Sequence, residues 1–123
     1  MASVTDGRFS GALIPDDFGK GEGMKWFPEV VSGSAPLSMN PFGMLTSQND
    51  GIVEVVAEKR YGEILGVHLI GEGAAEMAGQ AVLAIQMEAT LEELTRAAFP
   101  HPTLSESLVE AARDCLGRPI FLP

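Results

Sequence analysis

Residues 51–71 read GIVEVVAEKRYGEILGVHLIG. The first run holds the β-branched Ile52, Val53, Val55 and Val56, with Glu54 and Glu58 between and after them. RYGE, Arg60 to Glu63, offers a tight turn, and the second run, ILGVHLIG, is again rich in strand formers. Two such runs joined by a short glycine-containing turn predict a β-hairpin. His68 falls in its second strand, between Val67 and Leu69.

Downstream of the hairpin the period changes. In AAEMAGQAVLAIQME, Met77, Ala81 and Ile85 recur every four residues, with Ala78 and Val82 beside them. That spacing predicts a helix from about Ala74 to Met87. Thr90 followed three residues later by Glu93 has the form of a capping box and opens a second helix, running to about Ala98 and stopped by Pro100. Thr103 with Glu106 repeats the pattern and opens a third helix. Leu104, Leu108, Ala111 or Ala112, and Cys115 form its apolar stripe, and Gly117 and Pro119 end it. The apolar tail PIFLP is expected to dock against the fold. Strands followed by three helices argue for an α+β fold with an antiparallel sheet.

The first 40 residues are dense in Gly, Pro and Ser. DDFGKGEG and VSGSAP read as loops and turns, and Trp26 and Phe27 as anchors pinning an irregular segment to the core. No internal repeat is visible. The 123 residues, 46% of them hydrophobic, suit one domain, residues 1–123, with a real core.

Composition narrows the partners. The formal charge is −9. An acidic surface repels phosphate backbones and anionic lipid, so neither nucleic acid nor a membrane is expected as a partner. No apolar run approaches the roughly 20 residues needed to span a bilayer. The start, MASVTDGRFSG, lacks the basic-then-apolar layout of a secretion signal. Cys115 is the single cysteine, which excludes an intrachain disulfide and fits a cytoplasmic location.

FPHPTLSE, Phe99 to Glu106, holds one of the chain's two histidines between two prolines. Proline fixes φ, so His101 sits on a stiff backbone just before a helix start. Histidine is the usual side chain for moving protons near neutral pH. Glu106, one helical turn on, could hold one ring nitrogen. The alternative is plainer: Glu106 only closes a capping box, and His101 is only a loop residue.

Other candidates carry less. GEGAAE, Gly71 to Glu76, follows a strand and precedes a helix, as a dinucleotide fingerprint would. Glu76 stands where the third glycine belongs, and the preceding strand belongs to an antiparallel hairpin rather than a parallel βαβ unit. His68 reads as a packed strand residue, and without paired cysteines or a third histidine no zinc site is expected. Cys115, on an apolar helix stripe, reads as inert core. No nucleophile motif accompanies His101, which leaves an independent hydrolase without support.

The segment EILGVHLIGEGAAEMAGQAVLAIQMEATLEELTRAAFPHPTLSESLVEAA resembles the C-terminal interface domain of dihydrolipoamide dehydrogenase and its relatives, the FAD-dependent pyridine nucleotide-disulfide oxidoreductases. The resemblance is continuous from about Asn49 to Leu116, with ILGVHLIG, the alanine-rich helix, ATLEEL and HPTLSE in the family's order. PEVVSG, Pro28 to Gly33, resembles a strand near the start of the family domain. Phe99 stands where the family often has another histidine.

The resemblance implies an antiparallel sheet packed against about three C-terminal helices and a homodimer. A dimer formed through the sheet and the third helix is the expectation. It implies that His101 is the acid–base residue toward redox-active thiols in a partner active site, oriented by Glu106. It further implies FAD and NAD in the full-length enzyme. These 123 residues include neither an FAD domain, nor an NAD domain, nor a redox cysteine pair. The chain alone is therefore expected to bind no cofactor and to be inactive. It could act with a separate FAD/NAD-domain chain, or, as the other reading, as a stand-alone homodimeric interaction or adaptor module.

Overall fold

The computed structural model describes residues 2–5 and 29–123. At its centre are β3 (Gly51–Glu58) and β4 (Ile64–Gly71), the hairpin expected from residues 51–71. They pair antiparallel, with Val53 opposite Leu69 and Val55 opposite Val67. The Glu58 carboxylate closes the turn by accepting the Arg60 and Tyr61 backbone N–H groups. β1 (Ala2–Thr5) joins the β4 edge and β2 (Val30–Pro36) the β3 edge, both antiparallel, giving the order β1-β4-β3-β2.

Strand side chains alternate between faces. Val53, Val55 and Ala57 of β3, with Val67 and Leu69 of β4, point into the core. Ile52, Glu54, His68 and Ile70 lie on the other face, with Glu54 opposite His68. The apolar stripes of the helices close the inner face. α2 (Ala74–Gln86) packs on β4 and β1, and α4 (Glu106–Cys115) on β2 and β3. α3 (Leu91–Arg96) lies against α4. Met77, Ala81 and Ile85 of α2 are buried as their spacing predicts, and Ala78 is half-buried; Val82, placed beside them, is exposed.

The expectation of an irregular segment through residue 40 is corrected here. VSGSAP is not a loop but most of β2. Its glycine makes close packing possible rather than a turn. A Cβ on Gly33 would lie 2.3 Å from the Cys115 backbone nitrogen and 2.4 Å from the Ala111 carbonyl oxygen. The strand is thus notched to receive the backbone of α4. After β2, a 3-10 turn at Leu37–Met39 leads into α1 (Pro41–Thr46), a short helix the sequence reading did not anticipate. DDFGKGEG, Trp26 and Phe27 lie outside the described residues.

Helix limits also differ from those read in the sequence. α3 has the full Thr90–Glu93 capping box but ends at Arg96, not Ala98. Ala97 already has an extended ψ of 131°, and Phe99 goes on to pack against the core. The third helix starts at Glu106 rather than Thr103. Ser107 and Leu108 donate to the carbonyls of Leu104 and Ser105, a tighter three-residue turn ahead of the α-helix. The tail docks as expected: one buried oxygen of Glu110 accepts the backbone N–H groups of Ile120, Phe121 and Leu122.

Cys115 sits at the end of α4, half-buried, its Sγ donating to the Val55 carbonyl at 3.4 Å. Burial first, and the neighbouring Asp114 charge second, push its thiol up to about 11. Asp114 also accepts the Ser34 N–H at 2.9 Å, covering a free donor on the sheet's edge strand.

Two expectations follow. Gly33→Ala should cost about 3 kcal/mol or more, because helix backbone must retreat from the new methyl. Gly79→Ala, where a Cβ meets nothing within 4 Å, should stabilise the chain by about 0.5–1 kcal/mol. Denaturant midpoints of both variants test the pair, and a tolerated Gly33→Ala would refute the close approach of α4. For Cys115, a raised pKa keeps the neutral thiol dominant below about 11. Alkylation by iodoacetamide at pH 8 should run about a hundredfold slower than for a free cysteine and climb with pH toward 11. A rapid, pH-flat reaction would contradict this.

Candidate functional site

The loop between α3 and α4 carries the candidate site. Phe99 anchors it, packing half-buried against the core cluster. Beyond that anchor Pro100, His101 and Pro102 are exposed. The His101–Pro102 peptide is cis. Gln80 of α2 reaches the end of the loop, donating to Ser105 Oγ at 2.9 Å.

The Glu106 carboxylate binds two groups at once. Its Oε1 lies 2.8 Å from His101 Nδ1 and its Oε2 3.1 Å from the same nitrogen. Oε2 also accepts the Thr103 backbone N–H at 2.9 Å. A carboxylate accepts, so the ring carries a proton on Nδ1 in this arrangement. The His101 side chain is 61% exposed, while Glu106 is 15% exposed.

The two sequence readings of Glu106 are therefore not alternatives. The same carboxylate receives the N–H that a capping glutamate would take and also holds the imidazole. The capping box itself is only half formed. Thr103 Oγ1 donates to the Pro100 carbonyl at 2.8 Å instead of accepting the Glu106 N–H. That bond folds the loop back on itself and brings His101 over the start of α4.

The other candidates stay apart from this pair. His68 lies half-buried on the outer sheet face and Cys115 at the far end of α4. Among the described residues no group of three or more His, Cys, Asp or Glu side chains is placed to hold a metal ion. GEGAAE does form the turn from β4 into α2, with Gly73 as the left-handed N-cap. β4 is antiparallel to both neighbours, and Glu76 puts a carboxylate in the first turn of α2. That donor set does not fit the pyrophosphate of FAD or NAD. No described helix is long and apolar enough to cross a membrane.

Sequence reasoning missed Asn40, which is buried and donates to the Thr103 carbonyl at 3.0 Å. Its local signal, Asn before Pro at a helix start, was present. The contact across 63 residues was not legible.

Comparison with known proteins agrees with this architecture. LpdA from Mycobacterium tuberculosis superposes with a TM-score of 0.69 at 22% identity, covering 90% of this chain and 22% of that one. The dihydrolipoyl dehydrogenase of Halobacterium salinarum is 34% identical over 119 residues, 97% of this chain and 24% of its own length. Dihydrolipoyl dehydrogenase 3 of Pseudomonas aeruginosa is 38% identical over 90 residues, 73% of this chain and 19% of its own length. The chain thus spans about a fifth to a quarter of these relatives. The family model of the pyridine nucleotide-disulphide oxidoreductase dimerisation domain matches residues 22–112. With that match, and with the sheet and helices that carry it, this chain belongs to the pyridine nucleotide-disulphide oxidoreductase dimerisation-domain family.

Proposed function

We infer that this chain is the dimerisation domain of a dihydrolipoamide dehydrogenase-like disulfide oxidoreductase, and that His101 and Glu106 are the acid–base pair it lends to a partner active site. The observation that carries the reading is the 2.8 Å bond between His101 Nδ1 and Glu106 Oε1 on an exposed loop. A histidine needed only for the fold has no use for a carboxylate anchored to one side of its ring and exposure on the other.

The chemistry suits thiols. A substrate thiol gives its proton to Nε2 and becomes the nucleophilic thiolate. The positive charge gained by the ring is met by Glu106, which keeps the Nδ1 proton and the ring orientation. In the reverse step Nε2–H returns the proton to a leaving thiolate. Cys115, single, half-buried and with its thiol held neutral, does not take part. FAD and NAD belong to parts of the assembled enzyme beyond these 123 residues, on the same or a separate chain.

A second copy of the chain is the partner this reading requires. α4 has little apolar surface to offer, since Leu108, Val109, Ala111 and Ala112 are all buried within the chain. Exposed apolar side chains lie on the outer sheet face, at Ile52 and Ile70, on α2, at Val82 and Leu83, and at its C-cap, Met87. The α2 stripe borders a groove that Phe99 also lines, next to the His101 loop. An interface there brings the loop to a subunit boundary.

The decisive experiment recovers the chain with its flavoprotein body and measures NAD reduction by dihydrolipoamide, the dithiol being oxidised to the disulfide. His101→Gln should lower turnover by roughly 10²–10⁴-fold, and Glu106→Gln by less. Sedimentation of the same samples should show an unchanged dimer. Full activity in His101→Gln would remove the acid–base role. The isolated chain should reduce no disulfide.

A further inference from the structure

Buried polar side chains among the described residues are confined to Asn40, Ser107 and Glu110, at 4%, 1% and 2% exposure. They meet beside a cavity of about 10 Å³, which has room for a single water. Of the three, Asn40 touches the His101 loop.

The Asn40 amide is fully used. Its Oδ1 accepts the N–H groups of Phe42 at 2.9 Å and Gly43 at 3.1 Å, capping α1. Its Nδ2 donates to the Thr103 carbonyl at 3.0 Å and to Ser107 Oγ at 2.9 Å. A primary amide has two donors and a two-fold acceptor, and all are satisfied here. Capping alone needs only the oxygen, and Ser or Asp serves as well at an N-cap. The nitrogen does something further.

Thr103 is where that nitrogen acts. Its carbonyl is held by Asn40, its hydroxyl by the Pro100 carbonyl, and its N–H by the Glu106 carboxylate. The same carboxylate holds His101 Nδ1. A chain of hydrogen bonds thus runs from a buried side chain near the end of β2 to an exposed imidazole. The Thr103 carbonyl and N–H lie in the two peptide planes that meet at its Cα. Without Asn40 the carbonyl keeps only the 3.4 Å contact from the Glu106 N–H. Thr103 is then free to turn about that Cα and carry its N–H away from the Glu106 carboxylate.

We propose that Asn40 is a positioning residue for the His101–Glu106 pair. Its meaning for catalysis rests on the reading of His101 as proton carrier; the positioning itself does not.

The test uses this chain, labelled with ¹⁵N, and reads the ring nitrogens of His101 with the imidazole neutral. His101→Gln assigns the signals against those of His68. Wild type should show the Nδ1–H tautomer as the dominant form. Asn40→Ser keeps an oxygen cap for α1 and loses the reach to Thr103. It should reduce the Nδ1–H form to a minority, with the backbone amide spectrum of α2 and of α4 beyond Leu108 unchanged. Ser107→Ala removes the other acceptor of Nδ2 and should leave the ring signals as in wild type. An unaltered ring pattern in folded Asn40→Ser overturns the proposal. So does an equal disturbance in Ser107→Ala, which would mark a general packing effect. Should Asn40→Ser not fold, the wild-type Asn40 Nδ2 protons give the answer. Slow exchange with a through-bond coupling to the Thr103 carbonyl supports the proposal; fast exchange of both protons overturns it. An inactive His101 in the assembled enzyme would sink the proton-carrier reading and leave these ring signals as they are.

Discussion

Helix α4 rests so close on strand β2 that only a hydrogen atom fits at Gly33, against the backbone of Ala111 and Cys115. Most other features depend on this contact. It fixes the end of α4, where Asp114 covers the edge of the sheet and Cys115 bonds to Val55. It fixes the middle, where Glu110 binds the tail. It also fixes the start, where Glu106 holds His101. One rigid helix therefore carries both the structural carboxylate and the one at the site. A helix is stiff over this length, so a packing contact at one end sets geometry at the other.

The polar groups in this core follow the rule that buried polar atoms must be bonded. Asn40 satisfies all of its capacity, and Ser107 accepts from it. Glu110 is the exception: Oε1 takes backbone N–H groups, whereas Oε2 has no hydrogen-bond partner among the described residues, with Arg113 at 3.8 Å. It faces the region of the small cavity, which is large enough for one water. Burying these groups costs desolvation. In return they join three chain segments that no apolar contact would hold in register: the start of α1, the His101 loop and the C-terminal tail.

Much of this was legible locally. The Gly51–Gly71 hairpin, the Met77–Ala81–Ile85 face of α2 and the Thr90 capping box were readable because each depends on neighbours within a turn or a tight bend. The pairing of His101 with Glu106 was readable for the same reason, being five residues apart. β2 was misread because Gly33 and Pro36 look like turn residues, while the glycine answers to a helix some 80 positions away. The start of α4 was misread because Thr103 gives its hydroxyl to Pro100 rather than to the helix.

By itself, then, the sequence determined the α+β order, the hairpin, the helix faces and the histidine–carboxylate pair, since spacing along the chain carries those. Only the tertiary structure decided that β2 runs on through VSGSAP to Pro36, that α4 sits against its glycine, and that Asn40 closes on Thr103 across 63 residues. These last depend on which backbones can approach one another. A sequence read one stretch at a time does not state that, because the contact exists only after the core has brought both partners together.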